Sequence, residues 1–206
     1  MFNSIADLWQ DRGIAASTVL SLVASAIFLV RLLPQPLRLA RSGVADGVSA
    51  MAALTMVVSV CAWLIYGVIA GLLVVWVVSV VALVPAVWTV ALLRRQVGIP
   101  DAAAALAMAA VIVAAGITGT LAGVLAGSVL VTSGPQVWKA VRQRDLSGIA
   151  PATWRIAIAD ALSWGAYGFV IHDPALQGYC VVLLASAIIV LGRLRWVGMT
   201  VEPATT

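Results

Sequence analysis

Residues 34–68 (PQPLRLARSGVADGVSAMAALTMVVSVCAWLIYGV) repeat as residues 135–169 (PQVWKAVRQRDLSGIAPATWRIAIADALSWGAYGF) when the chain is shifted against itself by 101 residues. The alignment has no gap. Seven identities occur in it: Pro34, Gln35, Arg41, Gly47, Trp63, Tyr66 and Gly67 match Pro135, Gln136, Arg142, Gly148, Trp164, Tyr167 and Gly168. None of them is Ala, Val, Leu or Ile, the residue types that a biased composition would align by chance. The chain therefore contains an internal repeat.

The composition around this repeat is that of a membrane protein. Of 206 residues, 63% are hydrophobic and only 10% are charged, whereas a soluble domain carries about 25% charged residues. A soluble enzyme, a nucleic-acid-binding protein and a disordered protein are excluded. The net charge of +4 fits a membrane protein that collects Lys and Arg on its cytoplasmic loops. We expect an all-α integral membrane protein that contacts lipid.

The hydrophobic runs predict the membrane spans, since a helix needs about 17–25 residues to cross the hydrocarbon layer. Five clear candidates are 14–33, 49–70, 72–93, 149–171 and 174–192. The stretch 102–134 is too long for one ordinary span and barely long enough for two. Possible turn residues in its middle are Gly116, Thr118, Gly119 and Thr120.

The positions of Lys and Arg favour two spans in that stretch. With seven spans in total, one side of the membrane receives every Lys and Arg except Arg12. With a single long helix, Lys139, Arg142, Arg144 and Arg155 move to the side of Arg12. The positive-inside rule therefore predicts seven transmembrane helices, with the N-terminus outside and the C-terminus in the cytoplasm. Acidic residues precede the run 14–33, so we expect a retained first helix and no signal peptide.

The repeat and the spans together predict two parallel three-helix units, 14–95 and 114–196. A linker transmembrane helix at 96–113 joins them. Three spans in one unit reverse the direction of the chain, so the linker helix is needed to give both units the same orientation. This parallel 3+1+3 plan is known among transporters.

The repeated motifs resemble those of the PQ-loop superfamily and, within it, the SWEET and SemiSWEET sugar transporters. Leu33-Pro34-Gln35 and Gly134-Pro135-Gln136 each end the first helix of a unit, and Trp-Leu-Ile-Tyr-Gly (63–67) or Trp-Gly-Ala-Tyr-Gly (164–168) follows. The resemblance covers nearly the whole chain. It implies facilitated diffusion of a small neutral solute, a mono- or disaccharide, by alternating access between the units. A SemiSWEET unit must dimerise, whereas this chain holds two units, so a monomer should be sufficient, and a homo-oligomer stays open as the alternative.

Trp63 and Trp164 are the first candidate substrate-binding residues, because paired indoles can stack on a sugar ring. Trp63 lies about 21 Å along its helix from the cytoplasmic face, within the membrane. The alternative is an interfacial aromatic belt. Several such anchors are expected among the other tryptophans, which are Trp9, Trp76, Trp88, Trp138, Trp154 and Trp196.

The resemblance also implies an Asn 16 residues after each of these tryptophans, where this chain has Ser79 and Cys180. A hydroxyl and a thiol offer fewer hydrogen bonds than an amide. This departure puts sugar recognition in doubt or indicates a larger or less polar substrate.

Asp160 is the acidic residue nearest the middle of a predicted span. A charged Asp there costs on the order of 2.5–3.5 kcal/mol on insertion scales, so it should face a cavity or a partner. One hypothesis is structural, an ion pair with Arg155 or Arg31 or a protonated acid bonded to a neighbouring helix. The other is functional, a substrate hydrogen bond or proton coupling. The equivalent residue of the first unit is Ser59.

The repeated prolines, glutamines and tyrosines are candidate gate residues. Pro34 and Pro135 remove a helical N–H and either end a helix or, as the resemblance implies, form hinges near the cytoplasmic gate. Gln35 and Gln136 are suited to bonding the carbonyls that the prolines release. Pro151 fits a further gate proline whose counterpart is Ala50. Tyr66 and Tyr167 either close an outer gate or anchor the interface.

The sequence shows no constellation for catalysis, metal binding or a cofactor, so we do not expect an enzyme. It has one histidine, His172, and its two cysteines, Cys61 and Cys180, lie in separate spans. We expect His172 and Asp173 to be solvated in an external turn. Two alternatives to a sugar facilitator remain, a proton-coupled carrier of an amino acid or other metabolite and a non-transporting receptor or assembly protein. The Ala/Val/Gly/Arg-rich composition favours a prokaryotic plasma membrane.

Overall fold

A computed structural model describes residues 5–43, 48–142, 146 and 151–201 of the chain. The side chains of 5–15, 42, 135, 136, 139 and 198–201 lie outside this description. The described residues form helices joined by short turns, and no strand occurs among them. The helices are α1 (Ile5–Leu32), α2 (Pro34–Ser42), α3 (Ala50–Ile69), α4 (Leu73–Leu93), α5 (Ile99–Thr118), α6 (Leu121–Arg142), α7 (Pro151–Val170) and α8 (Pro174–Val201).

Five of the described helical segments are long and apolar enough to cross a membrane. They are Ala16–Arg41, Ala50–Ile69, Leu73–Leu93, Ile99–Thr118 and Pro174–Val197. In α6 the apolar part is shorter, Leu121–Gly134. Helix α7 has 20 residues, enough to span by length, but it carries Arg155 and Asp160. The structure is thus consistent with the all-α membrane protein that the composition predicts.

Polar and apolar side chains are distributed as expected for a protein surrounded by lipid. Ser21, Thr55 and Asp160 are almost completely buried. Large apolar side chains such as Ile117 and Val84 point outward, exposed by 82% and 68%. Exposure of this kind is costly in water and favourable in a hydrocarbon layer.

The ambiguous stretch 102–134 forms two helices, α5 and α6. Gly119 caps α5 with a left-handed backbone, φ 74°, which glycine adopts without a steric penalty. The turn lies within the group of residues that the sequence predicts. The helix before it is longer than expected, since α5 extends to Thr118, whereas the linker was predicted to end at residue 113.

The helices pack in pairs that correspond between the two halves of the chain. Helix α4 packs against α1 and α3, and α8 packs against α6 and α7. Across the halves, α1 packs against α7, and α6 packs against α3. The pairs correspond when α1 is matched with α6, α3 with α7 and α4 with α8. Helix α5 packs only against α3 and α6 among the described helices.

The repeated glycine of each half lies at a close helix contact. A Cβ on Gly67 would lie 2.7 Å from the backbone N of Trp76, and one on Gly168 would lie 2.6 Å from the Cβ of Leu176. A larger residue at either position would push apart the helices on each side of a tight turn. The repeat therefore preserves glycine for packing.

The two Pro-Gln positions differ in backbone structure. Helix α1 ends at Leu32, and α2 begins at Pro34, where the missing N–H is tolerated because it falls in a first helical turn. Helix α6 instead continues through Gly134 and Pro135 to Arg142, so the predicted end of this helix at Pro135 is wrong. In both places the helical direction is largely kept, since Leu37 N–H donates to the carbonyl of Leu33 and Ala16–Arg41 counts as one helical segment.

The segments that carry Arg38 and Arg94 meet at one end of the bundle. Leu39 of α2 packs with Ala53 at the start of α3 and Leu93 at the end of α4. This contact brings the segments of Arg38 and Arg94 together. We call this the PQ end, and we call the opposite end, with the α3–α4 and α7–α8 turns, the turn end.

Candidate functional site

A cavity of about 270 Å³ lies between the two halves of the bundle. Helices α1, α3 and α4 of the first half and α6, α7 and α8 of the second half all contribute lining residues, as does the short α2. Helix α5 contributes none. On α4 the lining runs from Val75 to Thr89, about 21 Å along the helix axis. The cavity is therefore elongated along the bundle.

The repeated tryptophans both line this cavity, as the sequence predicts for a shared pocket. The ring of Trp63 lies edge-on to Tyr66 at a centroid distance of 5.8 Å. The ring of Trp164 lies in the same way against Tyr167 at 6.0 Å. Each half thus builds its Trp and Tyr into one rigid aromatic pair on the turn-end side of the cavity.

Ser79 and Cys180 occupy equivalent positions in the repeat but different places in the structure. Ser79 lines the cavity, and its hydroxyl donates a 2.7 Å hydrogen bond to the carbonyl oxygen of Val75. Cys180 is buried between α7 and α8, with its side chain against Gly165, and is not a lining residue. Packing of α8 on the small Gly165 turns the thiol away from the cavity, so Cys180 does not border the space in which Ser79 lies.

Three other hydroxyl groups of the lining are engaged like that of Ser79. Thr89 donates to the carbonyl of Pro85, and Thr132 and Ser133 donate to that of Val129. Each uses its proton within its own helix. The lone pairs of these oxygens remain available, so this part of the wall can accept hydrogen bonds more readily than donate them.

Asp160 pairs with Arg31, one of the two arginines that the sequence proposes as partners. Arg31 Nη1 lies 3.1 Å from Asp160 Oδ2, and the Tyr179 hydroxyl donates a 2.5 Å hydrogen bond to the same oxygen. Arg31 Nη2 donates to the Tyr179 oxygen at 3.3 Å. The cluster joins α1 of the first half to α7 and α8 of the second. A buried charge is tolerated here because it is paired and hydrogen-bonded.

This cluster reaches the cavity through Arg31 and Tyr179, which both line it. The Asp160 carboxylate is fully buried behind them, and its Oδ1 has no hydrogen-bond partner within the described ranges. Tyr179 also packs edge-on against Trp63, with centroids 5.8 Å apart. The role of Tyr179 was not foreseen, since its repeat equivalent is Val78 and its partners are distant in sequence.

At the turn end, Tyr66 joins the two halves. Its hydroxyl donates a 2.6 Å hydrogen bond to Asp173 Oδ2, and Asp173 Oδ1 accepts from the backbone N–H of Leu176 in the first turn of α8. Asp173 is 8% exposed, so the expectation of a solvated residue is wrong for it. A carboxylate at a helix start satisfies free N–H groups. Tyr167 is buried and faces its own tryptophan.

The candidate gate residues at the PQ end are distributed unevenly. Gln35 lines the mouth of the cavity, whereas Pro34 is exposed and is not a lining residue. Pro151 is the first residue of α7, a position that proline favours. The side chains of Pro135 and Gln136 lie outside the described residues.

The tryptophans that have no tryptophan counterpart in the repeat differ in exposure. Trp138 and Trp196 are exposed by 63% and 61%, as expected for lipid-facing anchors. Trp154 is 4% exposed and lines the cavity, so the prediction of a possible interfacial anchor does not hold for it. Its Nε1 has no hydrogen-bond partner among the residues described.

Within the described part of the chain, no three His, Cys, Asp or Glu side chains are placed to hold a metal ion. No family model matches the sequence, and no curated protein matches it either. The resemblance to the PQ-loop superfamily therefore rests on the repeated residues alone.

Proposed function

We propose that the chain is a membrane transporter for a small neutral solute of the sugar class, working by facilitated diffusion with alternating access. One observation carries this proposal: an elongated cavity is lined by three long helices from each half of a repeated chain. A site between two similar halves can be exposed to one side or the other when the halves tilt. An enzyme site would instead require reactive groups in a catalytic arrangement, and the described lining residues show none.

The lining supports a neutral solute. Among the described residues, Arg31 is the only charged one that lines the cavity, and Asp160 already pairs with it. A solute with a net charge would lie in a largely apolar space with no counter-charge. The aromatic faces of Trp63 and Trp164 provide apolar surface for a sugar ring, and the hydroxyl oxygens provide acceptors. Both halves of the site belong to one chain, so we propose that a monomer is sufficient.

The proposed topology has seven spans in two parallel units, 14–95 and 114–196, with the linker near 96–113. The exchange of helix pairs between the halves supports it, as does the meeting of basic segments at the PQ end. We place the PQ end at the cytoplasmic face of a prokaryotic plasma membrane and the N-terminus outside. In that case cysteines introduced at Ala70 and Thr120 are labelled from outside, and one at Gln96 only from inside.

The test of transport is counterflow in proteoliposomes. The vesicles are preloaded with a panel of mono- and disaccharides, and the uptake of labelled glucose or sucrose is followed. We expect uptake by the wild type and loss in Trp63→Ala/Trp164→Ala. The matched control is Trp138→Ala/Trp196→Ala, which removes two exposed indoles outside the cavity. Absence of uptake of every sugar by folded protein would contradict the proposal.

A second candidate function is proton-coupled transport of an amino acid or related metabolite. The cluster of Arg31, Asp160 and Tyr179 favours it, because protonation of the carboxylate would release Arg31 at the cavity wall. This function requires that an imposed pH gradient drives accumulation and that Asp160→Asn abolishes the response. If uptake by the wild type does not respond to the pH gradient, proton coupling is excluded and facilitated diffusion is retained as the mechanism.

A further inference from the structure

Arg31 brings unused hydrogen-bond donors to the cavity wall. A guanidinium carries five N–H groups and no acceptor. The contacts within the described ranges engage one N–H at Nη1, beside Asp160, and one at Nη2, which donates to the Tyr179 oxygen. The other three N–H groups have no acceptor among the described residues. They are therefore available to a ligand that can reach them.

The free N–H groups of Arg31 border the cavity. The guanidinium lies deep within the bundle, yet 18% of the Arg31 side-chain surface is exposed, and the side chain lines the cavity. In the described part of the chain, the enclosed polar side-chain atoms without a partner are Trp154 Nε1 and Asp160 Oδ1. No nitrogen of Arg31 is among these enclosed atoms. A solute in the cavity can therefore reach the guanidinium.

The guanidinium lies about one helical turn from the aromatic layer. Asp160, which it contacts at 3.1 Å, precedes the cavity-lining Trp164 by four residues, about 6 Å along α7. Its other partner, Tyr179, packs edge-on against Trp63 with centroids 5.8 Å apart. The cluster of Arg31, Asp160 and Tyr179 thus adjoins both repeated tryptophans. A sugar ring that packs on these indoles can place a hydroxyl group beside Arg31.

The equivalent position in the second half offers an acceptor instead of donors. The repeat matches Arg31 with Thr132, which also lines the cavity. The Thr132 hydroxyl donates to the carbonyl of Val129, and the Ser79 hydroxyl is engaged in the same way within its own helix. These oxygens can accept from a solute, whereas Arg31 can only donate. A solute hydroxyl suits both walls, because it accepts and donates.

The ion pair makes Arg31 suitable for a neutral solute. The carboxylate of Asp160 balances the charge of the guanidinium, so the pair does not require an anionic ligand. The N–H groups still belong to a charged donor, and hydrogen bonds from such donors are stronger than those between neutral groups. A neutral oxygen acceptor can use these donors without bringing an uncompensated charge into the cavity.

We propose that Arg31 is a substrate-binding residue, whose free N–H groups donate to hydroxyl oxygens of a neutral, polyhydroxylated solute packed on Trp63 and Trp164. Asp160 and Tyr179 are positioning residues that hold the guanidinium at the wall. This inference rests on the proposed transport function and adds to it a binding residue outside the repeated motifs. Because the donors lie on α1 and the equivalent acceptor on α6, the solute is bound in one orientation.

The experiment measures equilibrium binding of glucose to the purified full chain, in parallel with counterflow. Arg31→Lys keeps a positive charge beside Asp160 but replaces the fork of N–H groups by one ammonium group. We expect the Kd for glucose to rise about tenfold. Arg142→Lys is the matched control, because Arg142 stacks on the exposed Trp138 and does not line the cavity. Its Kd should change less than twofold.

The double variant Arg31→Met/Asp160→Leu separates binding from folding. It replaces both charges by apolar side chains, and thermal unfolding shows that the protein remains folded. Its Kd for glucose should rise about tenfold or more. One deoxyglucose, which lacks the hydroxyl that Arg31 contacts, should bind the wild type about tenfold more weakly than glucose does, and this difference should disappear in the double variant. A purely structural role of Arg31 would leave the deoxyglucose differences unchanged and would refute the proposal.

Glucuronate tests whether Arg31 serves as the counter-ion of an anion instead. Because Asp160 balances its charge, glucuronate should bind the wild type more weakly than glucose does. Tighter binding of glucuronate, or a Kd for glucose that Arg31→Lys leaves unchanged, would overturn the proposal. Arg31-dependent binding without counterflow would refute transport alone, and counterflow independent of Arg31 would refute the role of Arg31 alone. Failure of the wild type to bind any sugar would overturn both.

Discussion

The two contacts between the halves use equivalent helices but different chemistry. Where α1 meets α7, Arg31 pairs with the buried Asp160. Where α6 meets α3, the equivalent residues are Thr132 and Ser59, which are neutral. The Thr132 hydroxyl donates within its own helix. The backbone arrangement is thus present twice, whereas the buried charge is present once.

The turn end shows the same contrast. Tyr66 reaches Asp173 of the other half, while the residue equivalent to Asp173 in the first half is Leu72, which cannot accept a side-chain hydrogen bond from Tyr167. Each of these two polar links between the halves therefore lacks a counterpart at the equivalent positions of the repeat. The repeat preserves what the helices need for packing, and single residues differentiate the halves.

The largest difference between equivalent positions is expected for Asp160 and Ser59. Asp160→Ala leaves Arg31 at the cavity wall without its partner and Tyr179 without its acceptor, which should lower the free energy of unfolding by about 2–3 kcal/mol. Ser59→Ala removes a small hydroxyl and should cost about 1 kcal/mol or less. Thermal unfolding of both variants in the same detergent gives the comparison.

The double variant Arg31→Met/Asp160→Leu sharpens this test. Replacing both charges by apolar residues of similar volume should recover much of the stability lost in Asp160→Ala. Equal losses in Asp160→Ala and Ser59→Ala would mean that the ion pair contributes no asymmetry to the fold.

The glycine contacts should instead behave alike in the two halves. Gly67→Ala and Gly168→Ala each introduce a Cβ that meets a neighbouring helix at 2.7 Å or 2.6 Å, so each should lower stability by about 1–3 kcal/mol. The control is Gly127→Ala, since Gly127 lies within α6 with no atom within 4 Å of its Cβ position. That variant should be neutral or slightly stabilising. A large loss in only one of the first two would break the structural equivalence.

A smaller asymmetry is expected for the tyrosines. Tyr66→Phe removes the hydrogen bond to Asp173 and should lower the free energy of unfolding by about 1–2 kcal/mol. Tyr167→Phe should lower the free energy of unfolding less, because the residue that the repeat matches to Asp173 is Leu72, which offers no side-chain acceptor to the Tyr167 hydroxyl. Chemical or thermal unfolding of the two variants provides the measurement, and identical values would show that the bond to Asp173 is not specific to Tyr66.

The smallest expected effects concern Ser79 and Cys180. Cys180→Ala should leave the half-saturation concentration in counterflow unchanged within about twofold, because the thiol lies outside the cavity lining. Ser79→Ala removes an acceptor from the wall and should raise that concentration by a few-fold, about 1 kcal/mol. A larger change in the half-saturation concentration for Cys180→Ala than for Ser79→Ala would contradict this placement and favour the symmetric pocket that the repeat predicts.

Helices and their duplication could be predicted from the sequence because they depend on local signals. Apolar runs indicate the helices, and Gly119 indicates the turn that divides 102–134. The partner of Asp160 could be narrowed to Arg31 or Arg155, since few cations lie at a suitable depth. The repeated Trp63 and Trp164 could be assigned to one cavity because equivalent positions of similar units face a common axis.

The residues that were missed or misplaced depend on how helices pack around their own axes. Tyr179 meets Asp160 and Trp63 through contacts between α8 and the other helices, which no spacing within α8 indicates. Cys180, the next residue, is turned towards Gly165. Trp154 is indistinguishable by type from the exposed Trp138. A sequence of almost uniformly apolar helices has no amphipathic pattern that would fix these orientations.

The unequal burial of the two members of the ion pair also bears on how the halves diverged after duplication. Arg31 borders the cavity and keeps 18% of its side-chain surface exposed, whereas none of the Asp160 side chain is exposed. An arginine that arose first at the cavity wall would have retained access to water. An aspartate that arose first would have been enclosed without a counter-ion. Descent from two neutral units is therefore easiest with the arginine as the earlier substitution, and an ancestor reconstructed with Arg31 and a serine at position 160 should fold.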